Sequence, residues 1–171
     1  SYNPEEGFVS SANQRTVGKD YPFFISGEFS MPYRILRIRE MAAEKQVLGI
    51  DDFKRMITDN HSAYAKMLTP VILKGAEALT APGKTESAVI EELKGWDYAM
   101  DASLVAPTLF EFIRMEMARQ LLGDELDELY GAPLGRQHDF YIYTLMKEGP
   151  DEWVDNVDTT EKETMDMITA R

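Results

Sequence analysis

Cysteine is absent from the 171 residues. Disulfides, thiol nucleophiles and thiolate-held zinc are therefore excluded, while the compartment stays open, because disulfide-free proteins occur on both sides of a membrane. Histidine is nearly as scarce: His61 and His138 stand far apart, in neither H-x-x-x-H nor H-E-x-x-H spacing, so no histidine-rich metal site is indicated. Neither adjoins a G-x-S-x-G turn, so no serine triad is suggested either. Long apolar runs are missing too. Stretches such as "SLVAPTLFEFI" are broken by polar residues and fall short of the roughly 20 residues that a membrane-spanning helix needs. Positive charge is in deficit, with 18 Lys and Arg against 30 Asp and Glu and a net charge of −12. That field repels phosphate backbones and argues against a nucleic-acid partner.

What is present is enough to build a core. The chain is 44% apolar and 11% aromatic, which argues against wholesale disorder, and its length fits one domain or one domain plus a short neighbouring element. It opens on "SYNPEEGF", which has none of the basic, apolar and small-residue regions of a signal peptide. The expectation is an internal piece of a longer protein.

Residues 7–13 read as a weakly alternating strand that ends in Asn13-Gln14, followed by a turn through Gly18, Asp20 and Pro22. From Pro32 onward the pattern becomes helical. Ile35, Ile38 and Ala42 recur at spacings of three and four, with Pro32 in the first turn and an end near Gly49. A second helix is expected from Asp51 as N-cap, its stripe running through Phe53, Met56, Ile57, Tyr64, Met67, Leu68 and Val71; Pro70 should end or bend it. Thr85 is the expected cap of "ESAVIEELKGW", with Val89, Ile90 and Leu93 inward, and a long helix should cover Leu104 to Leu122 and close at Gly123. The "DELDELYG" stretch reads as polar turns, "RQHDFYIYTLMKEG" as a helix or buried strand, and the acidic tail as a marginal helix.

Few clusters carry chemistry on spacing alone. Asp124, Glu125, Asp127 and Glu128 lack the alternating ligands and central glycine of an EF-hand, so they read as a solvated acidic face. Asn60 falls on the apolar stripe, where a buried amide must be hydrogen-bonded. Trp96-Asp97 reads as a packing anchor beside a side-chain cap. Asn13, at the end of the strand, has the chemistry of an oxyanion donor, and Arg34, at the start of a helix, can hold a carboxylate bidentately. On spacing alone, however, the favoured reading of the pair is a turn amide and a surface ion-pair partner.

Five pieces, taken in order and spacing, resemble one family: "NPEEGFVSSANQ", "DYP", "PYRILRIREM", "GIDDFKRMITDNHSAYAKMLTPVI" and "ELKGWDYAMD". They are similar to the β-chain of the penicillin acylases, or penicillin amidases, which are N-terminal-nucleophile hydrolases. The likeness covers roughly residues 3–115. Its specific parts are N-P-x-x-G leading to Asn13, Y-R-x-x-R-I around Arg34, D-x-x-S-x-x-A at Asp59, Ser62 and Ala65, and W-D at Trp96 and Asp97.

The resemblance implies a mainly α fold: a helical subdomain with one short N-terminal β element, cut from a larger αββα hydrolase. Residues 1–30 would be a strand and turn of the catalytic sheet and residues 31–171 the helical domain. It implies a parent amidohydrolase that cleaves linear acyl amides with an N-terminal serine outside this chain, the serine's own α-amino group acting as base. Asn13 would then be the oxyanion-hole side chain, a donor whose loss typically costs about 2.7–4 kcal/mol of transition-state stabilisation. Arg34 would serve positioning and electrostatics. The family often has a second asparagine where Gln14 stands. Some members supply a calcium-ligand aspartate after the Y-P dipeptide, where this chain has Phe23, Phe24 and Ile25. No cofactor or metal ligand is therefore assigned to this chain, and calcium is left to the parent enzyme.

The implied partners are the α-chain, the rest of the β-chain and a small N-acyl substrate, with neither nucleic acid nor membrane. The implied location is periplasmic or secreted. The isolated chain is expected to be inactive and to self-associate through apolar surface that met its parent. Two other readings stand beside this one: a non-catalytic helical scaffold or interaction domain, and metal binding through His61, Asp59 and acidic neighbours.

Overall fold

Helices dominate, as the periodicity predicts. The computed structural model describes residues 4–126, 142–144, 154, 155, 160 and 162. Five helices are described: α1 (Tyr33–Ala42), α2 (Ile50–Ile57), α3 (Ala63–Ala76), α4 (Lys84–Gly95) and α5 (Ala106–Leu126); residues 142–144 are helical as well. The chain divides into two compact units, Ser1–Ala63 and Tyr64–Arg171.

In the first unit, residues 7–13 form no strand. A strand exists through its ladder, and here a single long-range backbone bond, from the Ser30 N–H to the Asn13 carbonyl at 2.8 Å, stands in place of one among the described residues. Helix α1 starts after Pro32, whose φ of −75° suits a helix entrance and whose missing N–H costs nothing there. Ile35, Met41 and Ala42 are its buried residues.

Helix α2 begins one residue before the expected cap. Gly49 holds the N-cap position, and the Asp52 carboxylate accepts its N–H at 2.9 Å, half of a capping box. Asp51 and Asp52 in the first turn and Lys54 and Arg55 in the last complement the helix dipole. Its stripe is amphipathic, yet none of its residues is buried.

The expected long second helix is in fact two helices, and the break lies at residues 58–62 rather than at Pro70. The Thr58 hydroxyl bonds back to the carbonyls of Lys54 and Arg55, at 3.2 and 3.3 Å, which closes α2. Asn60 therefore sits exposed in the connection, not on a buried stripe. Pro70 lies inside α3. An internal proline costs about 3 kcal/mol, but α3 buries Leu68 and Ile72 on either side of it, and each such side chain contributes about 1.5–3 kcal/mol. Burial wins.

The second unit packs around aromatic rings. Phe110 of α5 meets Tyr64 of α3 edge-on at 5.9 Å and Trp96 at 5.5 Å, within the range for favourable ring pairs. Leu68, Leu93, Phe110, Leu121 and Ile142 are each at most 2% exposed. Gly83 and not Thr85 caps α4, and of the expected inward residues Leu93 is buried while Val89 and Ile90 are half-buried. Helix α5 continues through Gly123 to Leu126; the helical φ and ψ open to glycine cost about 1 kcal/mol relative to alanine, too little to stop a helix packed on its neighbours. His138, Asp127 and Glu128, most of the "RQHDFYIYTLMKEG" segment and nearly all of the acidic tail lie outside the described residues.

Candidate active-site loop

Asn13 stands at a bend. Its φ is +63°, in the left-handed region that asparagine tolerates better than other side-chain-bearing residues. Both of its oxygens are occupied. The backbone carbonyl accepts the Ser30 N–H at 2.8 Å, and the side-chain Oδ1 accepts Arg34 Nη2 at 2.9 Å. The same Nη2 donates to the Ala12 carbonyl at 2.8 Å. Asn13 and Arg34, which stand out in the sequence for separate reasons, come into contact across 21 positions.

That contact fixes the carboxamide. A guanidinium can only donate, so the amide atom facing it must be the oxygen. The Nδ2 end, which carries two N–H donors, is then turned away from the cation. Asn13 itself is exposed. Gln14 is used differently: its Oε1 accepts the Ala12 N–H at 2.7 Å, so its side chain braces the loop. The bend thus presents one amide and spends the other on its own backbone.

Arg34 comes from the first turn of α1, and three residues further along the same face Arg37 makes a second polar contact. Its Nε and Nη2 reach the Asp59 carboxylate at 2.9 and 2.7 Å, a fork-to-fork pair. Glu40 accepts Nη1 at 2.9 Å, and His61 Nδ1 meets Asp59 Oδ1 at 3.1 Å. The Asp59 side chain is only 10% exposed. The Arg37 hydrogen bond holds its carboxyl below the ordinary carboxylate value, and Asp59 in turn raises Arg37 above its usual range. His61 and Asp59 thus belong to an ion-pair chain, and among the described residues no group of three or more His, Asp or Glu is placed to hold a metal. Phe23, Phe24 and Ile25, where some relatives of the resemblance group place a calcium ligand, are exposed.

Trp96 and Asp97 build a turn. Trp96 is buried, its Nε1 donates to the Ala99 carbonyl at 2.9 Å, and Asp97 accepts the Ala99 N–H at 3.0 Å. Between them Tyr98 takes a φ of +70°, the other left-handed non-glycine residue among those described. Packing and a side-chain turn bond account for both members of the W-D pair. No helix among the described residues is long and apolar enough to cross a membrane.

A bend that holds an amide against an arginine thus precedes a mainly helical chain. The penicillin amidase family model matches residues 1–171, and the chain belongs to that family. The match extends past the 3–115 region over which the motifs were read. Among curated proteins, the chain is 27% identical over 118 residues to penicillin acylase 2 proenzyme of Pseudomonas sp. (strain SE83), covering 68% of this chain and 15% of that protein. It is 25% identical over 192 residues to acyl-homoserine lactone acylase QuiP of Pseudomonas syringae pv. tomato, covering 99% of this chain and 22% of that protein. The QuiP protein of Pseudomonas syringae pv. syringae is 26% identical over 190 residues with the same coverages, 99% and 22%. The chain thus spans between 15% and 22% of the length of these relatives. No solved structure matches it.

Proposed function

We propose that this chain is the part of an acylase that carries the oxyanion-hole asparagine, and that the parent enzyme hydrolyses a linear amide joining an acyl group to an amine. The observation that carries the reading is the Arg34 Nη2 to Asn13 Oδ1 bond at 2.9 Å, which turns Nδ2 into a free-standing donor. In the proposed reaction a serine outside these residues attacks the amide carbon through Oγ, and its own α-amino group takes the hydroxyl proton. The carbonyl electrons move onto oxygen. That oxyanion is met by backbone N–H groups of the parent and by Asn13 Nδ2, while the Arg34 cation behind the amide polarises it. Collapse breaks the C–N bond, and the amine leaves with the proton. Water then attacks the resulting ester and releases the acid.

The substrate class is an N-acyl compound. Penicillin acylase and acyl-homoserine lactone acylase are the names of the relatives, and the shared chemistry is the secondary amide; which acyl group and which amine are set by segments outside this chain. The partners in the proposal are the α-chain and the remainder of the β-chain, assembled in the periplasm or outside the cell. Exposed apolar side chains support that assembly: Val47, Ile50 and Ile57, around α2, are each more than 70% exposed and are covered by the parent. The chain alone hydrolyses nothing and self-associates. Steady-state kinetics of Asn13→Ala in the full-length enzyme tests the reading. A fall in kcat of about 10²–10³ with the fold retained is expected, and near-normal turnover removes Asn13 from the mechanism.

A further inference from the structure

We infer that Asp59, acting through Arg37, is a positioning residue for the Arg34–Asn13 donor; the inference rests on the reading of Asn13 as the oxyanion donor. The residues concerned all lie in the first unit. Helix α1 carries Arg34 in its first turn and Arg37 one turn later on the same face. Arg34 must place one nitrogen within 2.8–2.9 Å of both the Ala12 carbonyl and the Asn13 amide oxygen. Small rotations or slides of α1 break that double contact, because hydrogen bonds weaken steeply with distance and angle.

Apolar packing holds α1 weakly at the end that matters. Of its buried residues Ile35, Met41 and Ala42, two are in the last turn and only Ile35 neighbours Arg34. The firm hold on the exposed side is polar. Asp59 receives both Nε and Nη2 of Arg37, which fixes the guanidinium plane and with it the azimuth of the helix face. Glu40 on α1 and His61 after α2 extend the chain on either side, at 2.9 and 3.1 Å. The carboxylate is nearly covered, 10% exposed, so solvent screening does little to weaken the pair. A surface ion pair would not deserve this role; a covered, bidentate one that ties the arginine helix to the α2–α3 connection does.

The test is a double-mutant cycle in the full-length acylase with Asp59→Asn and Asn13→Ala. Asp59→Asn keeps the shape, removes the charge and should lower kcat by about tenfold to a hundredfold, the scale of a misplaced catalytic group, with KM within about twofold of wild type. In the Asn13→Ala background the same substitution should cost less than about twofold, because the donor it serves is gone. Full additivity, a rise in KM with kcat unchanged, or wild-type turnover of Asp59→Asn each overturns the inference. If Asn13→Ala itself turns over normally, the reading of Asn13 falls and the inference with it. If Asn13→Ala is impaired while Asp59→Asn is not, the inference alone falls. Should Asp59→Asn fail to fold, Arg37→Lys takes its place in the cycle, keeping the charge but losing the fork, and the same outcomes decide.

Discussion

The two units are built on opposite principles. Ser1–Ala63 buries little: Ala12, Ile35, Met41 and Ala42 are its buried apolar residues among those described, while Phe23, Phe24, Val47, Ile50 and Ile57 stand more than 70% exposed. What organises it is a set of arginines, Arg34 on the Asn13 loop, Arg37 on Asp59 and Arg55 on Glu44. Tyr64–Arg171 is organised by rings and aliphatic side chains, with Phe110 between Tyr64 and Trp96 and Leu68, Leu93 and Leu121 closing around helices α3 to α5. The lesson is a division of labour. Hydrophobic packing is strong but non-directional, which suits a supporting body. Hydrogen bonds from a guanidinium are weaker in net energy but fix angles, which suits a loop whose amide is held in one orientation.

That contrast can be broken in order of expected effect. Phe110→Ala should do the most damage to the second unit, about 3–5 kcal/mol for an aromatic ring removed from a core. Hydrogen exchange in the full-length protein would show it as lost protection over α3 to α5. Asn13→Ala should remove about 2.7–4 kcal/mol of transition-state stabilisation and leave that protection untouched. If it unfolds the protein instead, the first unit is structural after all.

Acid probes the arginine network. The Asp59 carboxyl in the folded chain is held below its ordinary value of 3.8, chiefly by the Arg37 hydrogen bond, so the unfolded chain binds the proton first. Its contribution is therefore fully present above that value and is lost as pH falls through the lower, folded one. Protection of α1 should persist down to the ordinary carboxylate range and drop below it, with Arg37, Glu40 and the His61 ring the neighbours that feel the change. Asp59→Asn should flatten that acid-dependent drop; an unchanged profile would assign it to other carboxylates. The smallest effect is expected in the second unit. The Thr69 hydroxyl is fully buried and finds no hydrogen-bond partner among the described residues, so Thr69→Val should be neutral or raise thermal stability slightly. A clear loss of stability would mean that the hydroxyl is satisfied.

Much of the helical framework was legible because apolar spacing at three and four residues reports a buried face wherever one exists. Helices α1, α4 and α5 were readable in that way, while α2 and α3 were read as one. Periodicity failed where polar contacts intervene. The stripe from Phe53 to Val71 runs unbroken in sequence, yet Thr58 and Asp59 turn to the Lys54 carbonyl and to Arg37, and the helix stops. Proline and glycine signals failed in the opposite direction, at Pro70 and Gly123, where packing along α3 and α5 outweighs a local penalty. The strand expected over residues 7–13 was a weak alternation, and a strand needs a neighbour that local sequence does not specify.

Residue identity alone was enough for the family and for the make-up of the candidate site: Asn13, Arg34 and the D-x-x-S-x-x-A stretch are all read directly from the chain. That Arg34 grips the oxygen end of Asn13, that Gln14 braces its own loop and that Asp59 takes up Arg37 became visible with the fold. The reason is range. Helical periodicity is a local property, written within a few turns, whereas the two arginine contacts join positions 21 and 22 residues apart and depend on where two elements come to rest, and the Gln14 brace, only two residues long, depends on the bend that those contacts hold.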